Sequence, residues 1–351
     1  MYFDPHVHLR DRNQRYKETI LHGLRVARDS GVDVVIDMPN TDPPVTTRSE
    51  AIARIYLALL PRDTRNVFYS LFMGLTKDPE QVKRAIGVYR ELFPRVAGMK
   101  FYAGHSVGNL GVVESEDQAR VYETLAREGY DGVFVIHAEK ESLLKPDLWM
   151  PENPVTHCNA RPEEAEVQSI KDQLELAVET GFRGKLHISH ISSPVSVDIV
   201  TDAKKIGVDI SCGVCPHHFI YNSDQMERSD GNLWKMNPPL RSRKSQEKLP
   251  EYLRQGKIDW IETDHAPHTL DEKTGPPYAS GIPGLAWWPL FEEYLRRNDF
   301  TDRQIEELTF NNAARRFNLP VERKRRKLVD RRKDYPFDPY KEIAEQLGWA
   351  A

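Results

Sequence analysis

Short apolar runs alternate along this chain with longer stretches whose apolar residues recur every third or fourth position. Val32-Asp33-Val34-Val35-Ile36-Asp37-Met38 is a run of the first kind, stopped by Pro39, and reads as a buried strand. Ahead of it, Ile20, Leu21, Leu24 and Ala27 fall at helical spacing over 17–30, with Gly31 to end the helix. A loop over 40–47 and a helix over 49–60 follow. The same alternation predicts strands over 67–74, 97–102, 132–138, 185–191, 208–214 and 258–264. It predicts helices over 79–92, 115–128, 161–180, 194–206 and 246–254. With residues 2–9 as the first strand there are eight, most of them separated by a helix. Strands that alternate with helices pair in parallel, and eight of them close into an α/β (β/α)8 TIM barrel. The other arrangement, an open doubly wound sheet, lacks its GxGxxG after the first strand.

The longest interruptions, 105–114, 140–160 and 215–243, follow strand C-terminal ends, the face on which this fold carries its chemistry. The barrel is expected to take up residues 1–320, with 321–351 a basic C-terminal tail packed on it. Five residues precede His6 and the tail offers one strand, near 328–329, so no independent N-terminal β-sandwich is expected. The Lys/Arg-rich run 322–333 reads as a solvated segment, because no aromatics interleave it as in an RNA-contacting arm.

Composition narrows the partners. Of 351 residues, 39% are apolar and 29% charged, enough for a large core and a soluble surface. A net charge of −4 gives no pull towards nucleic acid or acidic membranes, and no apolar run is long enough to span a bilayer. The start lacks the pattern of a signal peptide, and three cysteines make no disulfide framework, so a cytoplasmic protein is expected. Cys212-Gly213-Val214-Cys215 could be half a zinc knuckle or a redox pair, but no second ligand pair stands at matching spacing; small buried side chains at a strand end are the simpler reading.

The polar residues at strand ends are the exception to this ordinary composition. In Asp4-Pro5-His6-Val7-His8, period-2 alternation puts both histidines on one face, where two imidazoles suit a divalent metal. Lys100, His137, His187 or His190, and Asp264 end later strands. Each alone is ordinary. Together on one rim they would leave costly unpaired polar groups unless something binds there, and a metal centre accounts for them all.

These positions lie in an ordered set of motifs: Asp4-Pro5-His6-Val7-His8-Leu9-Arg10, Met38-Pro39-Asn40-Thr41, Met99-Lys100, Ile136-His137-Ala138-Glu139, His190-Ile191-Ser192-Ser193, Cys215-Pro216-His217-His218, Asn237-Pro238-Pro239-Leu240-Arg241 and Asp264-His265-Ala266-Pro267-His268. The set resembles the dihydroorotases of the amidohydrolase superfamily, from Asp4 to about Leu319. The resemblance implies a hydrolase with two divalent ions, zinc fitting the donors best, in the branch with a carboxylated lysine. His6, His8 and Asp264 would hold one ion and His137 and His190 the other, His190 rather than His187 by the family motif. Lys100, as N6-carboxylysine, would bridge both; the plain alternative is a barrel-interior lysine paired with Asp264. Arg10, Asn40, Asn237, His268 and backbone near Gly281 and Pro283 would bind substrate, Arg10 offering a planar fork for carboxylate. For Arg10 the plain alternative is a surface salt bridge with Asp11.

The implied reaction is the reversible cyclisation of N-carbamoyl-L-aspartate to L-dihydroorotate in de novo pyrimidine (UMP) biosynthesis. A hydroxide between the metals would attack the ring amide and Asp264 would shuttle the proton. The rival readings are another cyclic amidase, allantoinase or hydantoinase, and an inactive scaffold of the same fold. The partner is a small-molecule substrate, with neither nucleic acid nor membrane; a homodimer and association with aspartate transcarbamoylase are the assemblies open to it.

Overall fold

A computed structural model describes residues 1–324 and 326–349. Eight parallel strands run in chain order: β1 Tyr2–Val7, β2 Val32–Asp37, β3 Phe68–Gly74, β4 Val96–Tyr102, β5 Val133–His137, β6 Lys185–Ile188, β7 Ile210–Val214 and β8 Trp260–Ile261. Among the described residues every strand belongs to this one sheet. The helices that follow them are α1 Ile20–Asp29, α2 Arg48–Leu59, α3 Pro79–Leu92, α4 Ser115–Arg127, α5 Glu163–Glu179, α6 Pro194–Lys205, α7 Arg243–Arg254 and α8 Trp288–Arg297. The α/β barrel reading holds.

Local chemistry sets many of the boundaries. Thr19, Thr47, Asp78, Ser193 and Ser242 each accept a backbone N–H from the first turn of the helix they precede, satisfying donors that have no partner within it. Alternate strand residues then divide between two layers. Val34, Ile36, Phe72, Ala97, Val133, Val135 and Trp260 form a cluster closed by Phe310, Phe317 and Leu319. Val7, Val35, Leu71, Met73, Phe101, Phe134 and Ile136 pack instead in the larger core with the helices.

β8 is shorter than expected. Asp264 takes a positive φ of 49°, outside the extended region, and Thr263 turns to a side chain for its bonds. The Thr263 amide and hydroxyl donate to the Asp4 carboxylate at 3.2 and 2.6 Å, and Trp288 Nε1 donates to it at 2.9 Å. The junction of β8 with β1 therefore rests on this buried carboxylate and on one bridge, Val7 with His265, where His8 N donates to His265 O at 2.7 Å.

No strand forms near 328–329; Val329 N makes a single backbone bond, to Asp29 O. Nor is the basic run free in solvent. Arg326 pairs with Asp33 and Arg331 with Asp29, on the start of β2 and the end of α1. Beyond it Tyr335 and Tyr340 are buried, Tyr335 donating to Glu18 at 2.9 Å.

Candidate metal centre and substrate cavity

A cavity of about 370 Å³ opens at the C-terminal ends of the strands. A wider groove, about 810 Å³, lies at the opposite end near Asp33, Phe68 and Arg95; neither His nor Cys lines it. Strand parity sends His6 and His8 into the cavity while Val7 and Leu9 enter the core between sheet and helices. His6 Nε2 and His8 Nε2 converge on Asp264 Oδ1, at 3.1 and 2.8 Å, so both ends of the barrel sheet supply one triad. One ligating atom of each residue lies within 4.8 Å of the others.

His137 and His190 form the adjoining half. Nδ1 of His137 faces Nε2 of His190 at 2.9 Å, and the His6 and His190 ring centroids are 5.1 Å apart. His137 Nε2 is bound to Glu139 Oε2 at 2.9 Å, which is itself paired with Arg161. A carboxylate there fixes the tautomer with the proton on Nε2, leaving Nδ1 as a lone pair, as a metal ligand requires. Lys100 reaches the same place from β4, fully buried, with Nζ donating to Ser189 Oγ at 3.0 Å. Among the described residues no carboxylate pairs with it, so the Lys100–Asp264 ion pair does not form. Burial lowers its pKa to about 8, within reach of the neutral amine that attacks carbon dioxide.

The charges are arranged to match. Burial opposes ionisation of Asp264, yet His6 and His8 hold its carboxyl well below the usual range. Burial brings His8 down to about 4 and lowers His137 and His190, so these rings are neutral donors. The convergence of His6 Nε2 and His8 Nε2 on the Asp264 carboxylate and the facing nitrogens of His137 and His190 fit divalent ions.

Glu262, two residues before Asp264, lies beneath the cluster. It accepts from His190 N at 2.5 Å, Trp260 Nε1 at 3.0 Å and His187 Nε2 at 3.2 Å, and stands 3.5 Å from His6 Nδ1. Gly213 makes room for it: a Cβ there would sit 2.6 Å from the carboxyl carbon. His187, stacked on Trp260 and bonded to Ser211, faces away from the cavity, held between strands. His190 and Asp264 both adopt positive φ without glycine's freedom, strain of a kind that concentrates at functional sites.

The substrate residues line the same cavity. Arg10 is buried, not a surface partner of Asp11; its Nη2 lies 3.1 Å from His268 Nε2 and its Nε donates to Pro267 O at 3.3 Å. No carboxylate among the described residues pairs with it. Its backbone is clamped from below, where the buried Arg54–Asp37 pair binds Leu9 O, Arg10 O and Leu9 N. Asn40 presents a buried Oδ1 with no partner, and Asn237 Oδ1 accepts from His157 Nε2 at 3.0 Å. Gly281 also lines the wall, at φ 129° against Ala266. Pro283 does not: by then the chain has crossed behind β8, where Gly284 packs on Thr263.

Three further features shape the cavity, and of these Tyr102 ends β4. Lys17 Nζ bonds Glu272 at 2.8 Å beside His268. Tyr102 stands next to Lys100. Lys273, fully buried, donates to the carbonyls of Lys235, Ala279 and Gly281 at 2.8–3.0 Å and so shapes the far wall.

No family model matches the chain. It is 33% identical to a dihydroorotase of Listeria monocytogenes serovar 1/2a over 343 residues, covering 91% of this chain and 73% of that one. To a dihydroorotase of Brevibacillus brevis it is 31% identical, covering 91% and 74%. Among solved structures it is similar to the L-hydantoinase of Arthrobacter aurescens, with a TM-score of 0.82, 23% identity, and 94% and 74% of the two chains covered. A D-hydantoinase from Thermus sp. gives 0.75, 23%, 90% and 70%. At that identity the likeness is one of fold.

Proposed function

The chain belongs to the dihydroorotase family of metal-dependent cyclic amide hydrolases, and from that premise we propose how its own residues run the reversible cyclisation of N-carbamoyl-L-aspartate to L-dihydroorotate. The supporting observation is the meeting, in one cavity, of a buried His/Asp cluster with a guanidinium that no carboxylate among the described residues pairs with.

His6, His8 and Asp264 would hold one divalent ion and His137 and His190 a second, with Lys100, once carboxylated, supplying an anion to both; zinc suits this donor set. When bound, the ions supply Lewis acidity that ionises water and polarises the ring amide carbonyl. Arg10 binds the substrate carboxylate through its fork, with His268 beside it and Asn40 and Asn237 directing polar atoms of the ring. In ring opening, Asp264 takes the proton of the attacking water and returns it to the departing ring nitrogen. Closure runs the same steps backwards: the carbamoyl nitrogen attacks, one carboxylate is lost and water leaves. Acid favours closure, which consumes a proton.

We place this reaction in de novo pyrimidine synthesis in the cytoplasm, with residues 1–320 as the catalytic barrel and 321–351 as the tail laid on it. A homodimer, or a complex with aspartate transcarbamoylase, is checked by sizing the protein alone and with that enzyme. The deciding experiment measures turnover of dihydroorotate, carbamoyl aspartate, allantoin and hydantoin alongside metal content. Turnover of the first pair, with at least about two divalent ions per chain, is expected. Preference for allantoin or hydantoin, or no stoichiometric metal, overturns the proposal.

A further inference from the structure

Behind the catalytic wall, where β7 ends, Cys215, His217 and His218 form a cluster that no step of the reaction uses. The short helix Pro216–Ile220 turns both imidazoles back beside the thiol. All three side chains are buried, Cys215 completely and the histidines to 1% and 3% exposure. One ligating atom of each lies within 4.8 Å of the others, the same bound that describes His6, His8 and Asp264. Three atoms so spaced have a common point no more than about 2.8 Å away, and zinc–sulfur and zinc–nitrogen bonds of roughly 2.3 and 2.0–2.1 Å need at most about 0.5–0.8 Å of closure.

Each ring is held by one nitrogen and leaves the other without a partner. His218 Nε2 donates to Pro238 O at 3.0 Å, so its Nδ1 is a lone pair, buried and unsatisfied. His217 Nδ1 faces the Tyr340 hydroxyl at 3.4 Å and its Nε2 is equally unsatisfied. A metal-ligating imidazole is oriented in this way, by a hydrogen bond at its far nitrogen. Two buried nitrogen orphans beside a thiol cost folding free energy unless something binds them.

We propose that Cys215, His217 and His218 form a further metal site, separate from the catalytic pair, for a borderline d10 cation such as zinc. Sulfur with two imidazoles selects against magnesium, calcium and manganese, which take oxygen donors. On binding, the Cys215 S–H bond breaks, its proton passes to solvent and a sulfur–metal bond forms, with a water in the remaining position. The ion ties the end of β7 to the Pro238 loop and, through His217, to Tyr340 of the C-terminal segment. Its role is structural.

Sulfur makes the test independent of the catalytic reading, because none of the catalytic ligands carries it. The full chain is produced in cobalt-supplemented medium, so that ions enter during folding. A thiolate-to-cobalt charge-transfer band in the near ultraviolet is expected, with one more cobalt per chain than in Cys215→Ser. Cys215→Ser and His218→Gln should abolish the band, and Cys212→Ser should keep it. Wild-type protein without the band overturns the proposal, whether or not the His6 cluster fills and whether or not the variants fold. So does a band that survives Cys215→Ser.

Discussion

Replacing Arg10 by Met separates binding from folding. Arg10 is 6% exposed, and its guanidinium makes two hydrogen bonds, both long, at 3.1 and 3.3 Å, with no carboxylate paired to it among the described residues. In the free protein it is a buried charge whose desolvation is poorly offset. Methionine fills much of the same volume without that charge. Losing two such bonds costs about 1 kcal/mol or less each, and relief from desolvation works against that loss, so unfolding free energy should change by no more than about 1 kcal/mol. Substrate carboxylate, by contrast, loses a charge-assisted two-pronged contact of about 2–4 kcal/mol. At about 1.4 kcal/mol per decade, KM should rise roughly 30- to 800-fold. Arg10→Lys keeps the charge without the fork and should fall between. The assay is steady-state kinetics in both directions, with denaturant unfolding and metal analysis on the same preparations. A variant with wild-type KM refutes the substrate role. One that loses about 3 kcal/mol or more of stability makes Arg10 a structural ion instead.

Asp264→Asn keeps the size and one ligating oxygen but cannot accept a proton near neutral pH; kcat should fall at least roughly a thousandfold, about 4 kcal/mol, in both directions while the metals stay, and retention of a tenth of the activity with full metal would move the shuttle elsewhere. Glu262→Gln removes the charge beneath His6 and His187; metal affinity should fall about 10- to 100-fold by competition with a chelator, and unchanged affinity would leave Glu262 a packing residue only. His22 is raised above 6.5 by its hydrogen bond to Glu18, with Asp334 on its other nitrogen. That contribution to stability is complete below the unfolded value of 6.5 and is lost as pH rises through the raised folded value. The Tm difference between wild type and His22→Gln should shrink over that rise, and a pH-independent difference would contradict it.

Where sequence pattern and structure agree, local chemistry spoke without ambiguity. The helix expected over 79–92 has those bounds because Asp78 caps it and Pro79 occupies its first turn. His6 and His8 could be placed by parity alone, and by the same rule His187 and His190, three apart, had to part company. β8 was over-read because Asp264 leaves the extended region and Thr263 bonds to the Asp4 side chain, 259 positions away in the chain. α8 was legible but passed over, since Trp288, Phe291 and Leu295 repeat at helical spacing. Glu262 too was within reach, two residues before Asp264 on a strand. Lys17, Glu272 and Lys273 were not, for they come to the cavity from loops and short helices whose approach only tertiary packing decides.

The weak meeting of β8 with β1 has a thermodynamic meaning. A barrel whose eighth strand is two residues long is a hoop cut at one point, and the triad stands across the cut: His6 and His8 on one side, Asp264 on the other, with His8 and Asp264 256 positions apart in the chain. The ion proposed for these three would act as a clasp. Its binding free energy enters the closing of the hoop, adding about 2.7 kcal/mol when free metal stands a hundredfold above its dissociation constant. The contact it fastens encloses one of the longest loops the chain can form, where closure costs most entropy. Catalysis and barrel closure would then draw on one ligand, and a metal-starved chain should loosen first where β1 meets β8.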